Sequence, residues 1–290
     1  MPIATLKQVE DFWNNTPLFA GETEAVLGSL EWFREHEQVY LKDCLVSERD
    51  FSLLVPQNLK PESKILDVGC GPGFWVRYFI RRGFQNVSAC DLSGRSVELT
   101  LRSLALFNLE DDLKGRIIVG SAESLPFDDE AFDHVNCQGV IHHTPNTEAC
   151  VREFHRVLKP GGTVSFSVYY KNFILRNPQL FKLTRALAKI FKIGLKGRGR
   201  EELIRASASP EDLVRHYDGL DNPVGKAYTK GEVLRLTKYA GEGIVLFNIL
   251  KTDRCFFPAR ALPFPVFPFL HRFLAARFGL FNRRSSQKID

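Results

Sequence analysis

The chain has 290 residues, 44% of them hydrophobic and 25% charged, with a formal net charge of +5. That apolar content excludes whole-chain disorder. No run approaches the ~18 apolar residues of a membrane span, and the opening stretch around Lys7 and Glu10 does not read as a secretory leader, so a cytoplasmic protein is expected. The charge is uneven. Residues 171–205 hold ten Lys/Arg against Glu201 and Glu202, a local +8. Residues 251–290 hold eight against Asp253 and Asp290, a local +6, so the remainder is acidic. The six cysteines (44, 70, 90, 137, 150 and 255) form no Cys-x-x-Cys pair and no zinc spacing with His. Reduced thiols and no metal site are expected.

Residues 1–60 read as helical, an N-terminal lid. Leu6, Val9, Phe12 and Trp13 fall at helical spacing, Pro17 closes that segment, and Glu22–Arg34 and Gln38–Phe51 look like further helices. Residues 61–170 form a second unit in which strands alternate with helices. Strands are predicted over Lys64–Val68, Asn86–Asp91, Arg116–Gly120, Phe132–Cys137 and Thr163–Val168. Helices are predicted over Phe74–Arg82, Ser93–Phe107 with a serine cap, and Thr147–Leu158, the last stopped by Pro160-Gly161-Gly162. Such alternation implies right-handed crossovers and an α/β, doubly wound parallel sheet.

The period breaks in residues 171–228, a basic insertion after the fifth strand. Pro178–Ile193 is predicted to be an amphipathic helix. Leu180, Leu183, Leu187, Ile190 and Phe191 form its apolar face and Lys182, Arg185, Lys189, Lys192 and Lys196 its basic one. In residues 229–290, Thr229 and Glu232 make a capping box for a helix ending at Gly241. Ile244–Leu250 reads as a sixth strand, and a Phe/Pro-rich tail follows.

Chemistry is concentrated in Ile65-Leu66-Asp67-Val68-Gly69-Cys70-Gly71-Pro72-Gly73. Glycines between a strand and a helix allow a sharp turn and close approach of a ligand. A dinucleotide turn would need a further glycine where Phe74 stands, and a carboxylate at Asp67 repels pyrophosphate. Asp67 suits a cation, and S-adenosylmethionine, with its ammonium and sulfonium groups and no phosphate, fits. Asp91, eighteen residues beyond Gly73, is placed to accept from ribose hydroxyls. The loops Gly120–Phe127 and Gln138–His143 follow the third and fourth strands. Both therefore open at the same sheet edge.

In these segments, and in Leu158-Lys159-Pro160-Gly161-Gly162, the sequence resembles the class I, seven-strand S-adenosylmethionine-dependent methyltransferases. The likeness is to the branch acting on small molecules and quinone precursors, and it is strong over about residues 59–168. It implies a seven-stranded Rossmann-like sheet and a small-molecule methyl acceptor. It also implies that Asp67 and Gly69 meet the methionine ammonium while Gly71 and Gly73 shape the turn. Asp91 would hold the ribose, with Leu92 against the adenine. Ala122 and Glu123 would lie along the adenine edge, and Gln138 and Gly139 would border the methionine portion. Ser121 stands where the family often has Asp, so either Ser121 or Glu123 accepts from the adenine amine.

Methyl transfer needs in-line geometry, and a base only if the acceptor loses a proton. His143, with His142 behind it, is the candidate base. Three alternatives stand beside a small-molecule methyltransferase. They are an RNA methyltransferase, disfavoured because no RNA-binding module is visible, a non-catalytic cofactor-binding subunit, and an enzyme using the sulfonium for another alkyl transfer or a cyclisation. The basic helix and the aromatic tail also suggest contact with an anionic membrane surface.

Overall fold

The computed structural model describes residues 4–43, 54–109, 114–191, 203–236 and 244–250. Strands β1 (Lys64–Val68), β2 (Asn86–Asp91), β3 (Ile117–Val119), β4 (Phe132–Gln138), β5 (Leu158–Tyr170), β6 (Ala227–Tyr228) and β7 (Ile244–Leu250) lie in one sheet. The order is β3-β2-β1-β4-β5-β6, with β7 pairing β5, and every pairing is parallel. The chain runs outward from β1 to β3, then returns to place β4 on the other side of β1. The order therefore reverses between β1 and β4, and a parallel sheet opens a ligand crevice at the strand C-termini there.

The central strands are buried on both faces, which matches their continuous apolar runs. Leu66, Val68, Val135, Cys137, Val164, Phe166 and Val168 join one core cluster. Ile65, Val87 and Ala89 join another with Phe74, Trp75 and Phe79 of helix α3 (Phe74–Arg81). Cys70, Cys90, Cys137 and Cys150 are buried free thiols, and burial raises the pKa of each. Cys44 and Cys255 lie outside the described residues.

Helix α1 (Leu6–Asn15) starts at a Thr5/Gln8 capping box and ends two residues before Pro17. The two expected helices over 22–34 and 38–51 are instead one helix, α2 (Leu30–Asp43), preceded by turns; residues 44–53 lie outside the described set. Gly28 explains the break. It has φ +78°, in the left-handed region that ends or prevents a helix. Helix α4 (Gly94–Leu106) has the expected serine cap, Ser93 accepting from the Ser96 amide.

Helix α5 (Thr147–Val157) passes directly into β5, so Pro160-Gly161-Gly162 lies inside the strand's span and does not stop the helix. The register against β4 shifts at this point, between Phe132 and His134, which accommodates Gly161 at φ +77°. After β5 come α6 (Phe173–Arg176), α7 (Pro178–Ile190), α8 (Leu203–Ala206) and α9 (Pro210–Arg215). The predicted apolar face of α7 is not the buried one. Phe181 and Ala188 face the protein, while Leu183, Leu187, Ile190 and Phe191 are 37–70% exposed. Helix α10 (Lys230–Leu236) begins at the expected box, with Glu232 accepting from Thr229 and Thr229 from the Glu232 amide. Its predicted end at Gly241 and the tail lie outside the described residues.

Candidate active site at the β1–β4 switch point

The register of β1 on β4 pairs Asp67 with Asn136, and that of β4 on β5 pairs Asn136 with Ser165. Side chains paired across neighbouring parallel strands share a face about 5 Å apart, so the three form a buried polar row. Asn136 Nδ2 donates to Asp67 Oδ1 at 2.7 Å. Asn136 Oδ1 accepts from Gln138 Nε2 at 3.0 Å and from the Ser165 hydroxyl at 3.2 Å. The Ser165 hydroxyl lies 3.3 Å from His134 Nε2, whose ring meets Thr163 through Nδ1 at 2.8 Å. Burial holds the His134 ring neutral, pushing its pKa down to about 3.

One atom of the row is left over. Asp67 Oδ2 is buried without a hydrogen-bond partner. A buried acceptor without a donor costs about 1–3 kcal/mol, and Asp67 stands one residue before the C-terminal end of β1. Burial, partly offset by the Asn136 donor, pushes the Asp67 carboxyl up to about 7. Its folded-state pKa thus exceeds its unfolded value, so apo stability falls as pH rises from about 4 to 7. A bound ammonium would favour the ionised carboxylate. Binding near pH 7 is therefore expected to release a proton, read as a buffer-dependent enthalpy in calorimetry, and Asp67→Asn is expected to abolish that dependence.

Gly69 has φ +73°, and a Cβ there would lie 2.3 Å from a Val140 methyl. The β1 and β4 loops therefore meet too closely for any side chain. At Gly71 and Gly139 a Cβ would meet nothing within 4 Å, so their backbone borders open space. Gly73 is instead a packing position, where a Cβ would meet Thr100 and Ser103. Phe74 is buried and stacks on Tyr40 at 4.3 Å between ring centroids.

Asp91 caps the turn as well as facing it. Its Oδ2 accepts from the Gly71 amide and its Oδ1 from the Ser93 amide, each at 2.9 Å. The Ser96 side chain is a further hydrogen-bond partner of this carboxylate. Burial raises the pKa of Asp91, and these three partners act against the rise. In the next loop, Ser121 Oγ accepts from the Glu123 amide at 3.1 Å and Ala122 is buried. Glu123 Oε1 accepts from the Asn146 amide at 2.7 Å, at the start of α5. The Glu123 carboxylate is thereby engaged in holding that helix. Leu92 is half-buried beside Asp91.

Helix α1 spans the edge. Asn14 Oδ1 accepts from the Ser93 hydroxyl at 2.8 Å, and the neighbouring Trp13 ring meets the His143 ring edge-on at 5.3 Å. Adjacent residues of this one helix therefore touch the loop after β2 and His143. His143 and His142 sit in a 3-10 turn, Ile141–His143, and both are buried. His143 has both nitrogens engaged, Nδ1 at 2.8 Å from the Val224 carbonyl and Nε2 at 3.1 Å from Asp218 Oδ2. Burial and the neighbouring His143 hold the His142 pKa far down. A cavity of about 310 Å³ adjoins this group, lined by Trp13, Phe19, Leu203, Tyr217, Asp218 and Leu220 among others. It lies on the α1 side and does not include the glycine turn.

Sequence reasoning did not pick out Asn136, Ser165, Asp218 or Arg77. The first two carried a signal, because His134, Asn136 and Gln138 alternate with Val135 and Cys137, and Thr163, Ser165 and Ser167 with Val164 and Phe166, which puts polar groups on one face of each strand. Arg77 is fully buried. Its Nη1 donates to the Pro72 carbonyl at 2.9 Å and to Ser103 at 3.0 Å, and its Nη2 meets Glu37 at 3.4 Å. Among the described residues no group of three metal-ligating side chains occurs, and no helix is long and apolar enough to cross a membrane.

Residues 66–166 match the family described as Methyltransferase domain. A ubiquinone biosynthesis O-methyltransferase of Azoarcus sp. is 34% identical over 176 residues, 57% of this chain and 71% of that protein. The protein of the same name from Neisseria meningitidis is 34% identical over 110 residues, 38% of this chain and 45% of its own length. A sterol 24-C-methyltransferase of Gibberella zeae is 27% identical over 229 residues, 72% of this chain and 58% of that protein. The chain thus spans about half the length of several of the relatives it matches.

Proposed function

Because the chain belongs to the class I S-adenosylmethionine-dependent methyltransferases, we propose that it transfers a methyl group from that cofactor to a small, lipophilic acceptor by in-line displacement. The observation that carries this reading is the buried, unpartnered Asp67 Oδ2 near the C-terminal end of β1, the strand that leads into the turn of Gly71, whose backbone, like that of Gly139 after β4, borders open space. That is an ammonium site next to space for a ligand. Asp67 would hold the methionine ammonium, Asp91 the ribose hydroxyls, and the loop of Ser121 and Ala122 the adenine edge. Gln138, tied to Asn136, would fix the wall beside the methionine portion. The cofactor supplies an electrophilic methyl on a sulfonium; the protein supplies alignment and a dry site. The mainly apolar lining of the adjoining cavity supports a lipophilic acceptor, and so do the ubiquinone and sterol in the relatives' names.

Methyl-labelled cofactor incubated with the protein and a cell extract, followed by mass identification, tests the reading. Protein-dependent label in a small molecule is expected. Label confined to RNA would replace the reading with the RNA alternative, and no transfer despite cofactor binding would favour the non-catalytic one.

The α7 surface supports a peripheral membrane reading. Leu183, Leu187, Ile190 and Phe191 are exposed beside the exposed Lys182 and Lys189, the pattern of an interfacial helix. Co-sedimentation with anionic vesicles at low salt, weakening as salt screens the lysines, is the expected result. No binding at low salt would end this reading.

A further inference from the structure

We propose that Asp218 is the catalytic base of the transfer, held by His143 and Tyr169 at the wall of the acceptor cavity. This rests on the methyltransferase reading above. Asp218 ends a 3-10 turn, His216–Asp218, and its side chain is 7% exposed. Its Oδ2 accepts from the Tyr169 hydroxyl at 2.5 Å and lies 3.1 Å from His143 Nε2. The opposite nitrogen, His143 Nδ1, lies 2.8 Å from the Val224 carbonyl. Nδ1 also lies 3.3 Å from Asn222 Nδ2. Both ring nitrogens of His143 are therefore engaged within the protein, and His143 is not among the residues that line the cavity. The basic group of this cluster that borders the cavity is the Asp218 carboxylate.

The surroundings fix the geometry. Asn222 Oδ1 accepts from the Val224 amide at 3.1 Å, shaping the strip that presents the Val224 carbonyl to His143. The Tyr169 ring packs on His142 at 4.1 Å and on Tyr217 at 5.4 Å. On the other side the Trp13 ring covers His143, and Trp13 also lines the cavity, one residue from the Asn14 contact to the ribose-side loop. The base, the cavity and the cofactor edge are thus joined through one helix.

The chemistry balances. A lone pair of an acceptor hydroxyl oxygen forms the new O–C bond to the methyl carbon. The S–C bond breaks with its pair staying on sulfur, so the sulfonium becomes a neutral thioether. The hydroxyl proton passes to the Asp218 carboxylate. One positive charge leaves sulfur as one negative charge is quenched at Asp218, so the net charge of the site does not change. A carboxylate that already accepts from the Tyr169 hydroxyl and meets His143 Nε2 is a weak base. The acceptor class this implies is an acidic hydroxyl on an apolar frame, such as a hydroxylated aromatic ring, which the Trp13, Phe19 and Leu220 lining suits.

The test uses the full chain, calorimetric titration with S-adenosylhomocysteine, and labelled cofactor with a panel of alkyl-substituted phenols and catechols, followed across pH. Asp218→Asn should lower kcat about 10²–10³-fold while cofactor affinity stays within about twofold. It should also remove the acid limb of the pH–rate profile. Tyr169→Phe, which keeps the packed ring, should lower kcat several-fold and serves if the first variant does not fold. His143→Gln, a positioning change, should shift the acid limb. The titratable and charged groups around the dyad, His142, Tyr217, Lys226, His216 and Glu22, remain in every variant. Transfer by Asp218→Asn within threefold of wild type, or no product from any panel member while the cofactor binds, would each overturn the proposal. Failure of wild type to bind the cofactor would instead overturn the methyltransferase reading beneath it.

Discussion

Replacing Arg77 by alanine is expected to destabilise the protein by about 2–5 kcal/mol, through the cavity a fully buried side chain leaves and the loss of its donors to Pro72 and Ser103. Arg77 has no exposed surface, and its guanidinium lies 5.6 Å from the Phe33 ring centroid and 5.1 Å from that of Phe107. Burial lowers its pKa to about 10, with Glu37 acting against the fall, so it is charged at neutral pH. Its donors tie α2 through Glu37 and α4 through Ser103 to the Pro72 carbonyl. Pro72 is the middle residue of the Gly71-Pro72-Gly73 turn, so the same substitution should also loosen the cofactor loop. Urea denaturation measures the first effect and calorimetric titration the second. A loss below about 1 kcal/mol would mean that the guanidinium is not the strut these contacts describe. Glu37 should matter less, because it is partly exposed and also meets Arg81 at 3.2 Å.

Asp91→Ala is expected to weaken cofactor binding by about 1–3 kcal/mol, a factor of roughly 5–150, through loss of charge-assisted hydrogen bonds. Two losses combine here. The ribose hydroxyls lose their acceptor, and the Gly71 and Ser93 amides lose the carboxylate that fixes the turn. Asp91→Asn separates them, since an amide oxygen can still accept from one backbone N–H. An intermediate affinity is expected for it. Unchanged affinity in the alanine variant would remove Asp91 from the site.

The alternation of strands and helices was legible because buried parallel strands are short apolar runs and their caps are local. Lys64–Val68, Asn86–Asp91 and the Ser93 cap are fixed by residues within a few positions of themselves. The N-terminal boundaries were less legible. Residues 22–51 are apolar enough for helix throughout, and the left-handed Gly28, which ends that reading, looks like any other glycine in sequence. The α7 face was misjudged because periodicity identifies an apolar stripe, not what covers it; here the protein covers Phe181 and Ala188 instead. At the site, the glycine turn and the two aspartates announce themselves by type and spacing. The Asp67–Asn136–Ser165 row depends on strand register, and the His143–Asp218 contact joins residues 75 positions apart with no local signal at either end.

The central claim is that Asp67, Asp91 and the glycine turn hold an adenosyl compound bearing an ammonium, not a pyrophosphate. Calorimetric titration of the full chain with S-adenosylhomocysteine and, separately, with NAD⁺ tests it most directly. Saturable one-site binding of the first, weakened in Asp91→Ala, and no heat from the second is the predicted result. Saturable binding of NAD⁺ with none of S-adenosylhomocysteine would contradict it.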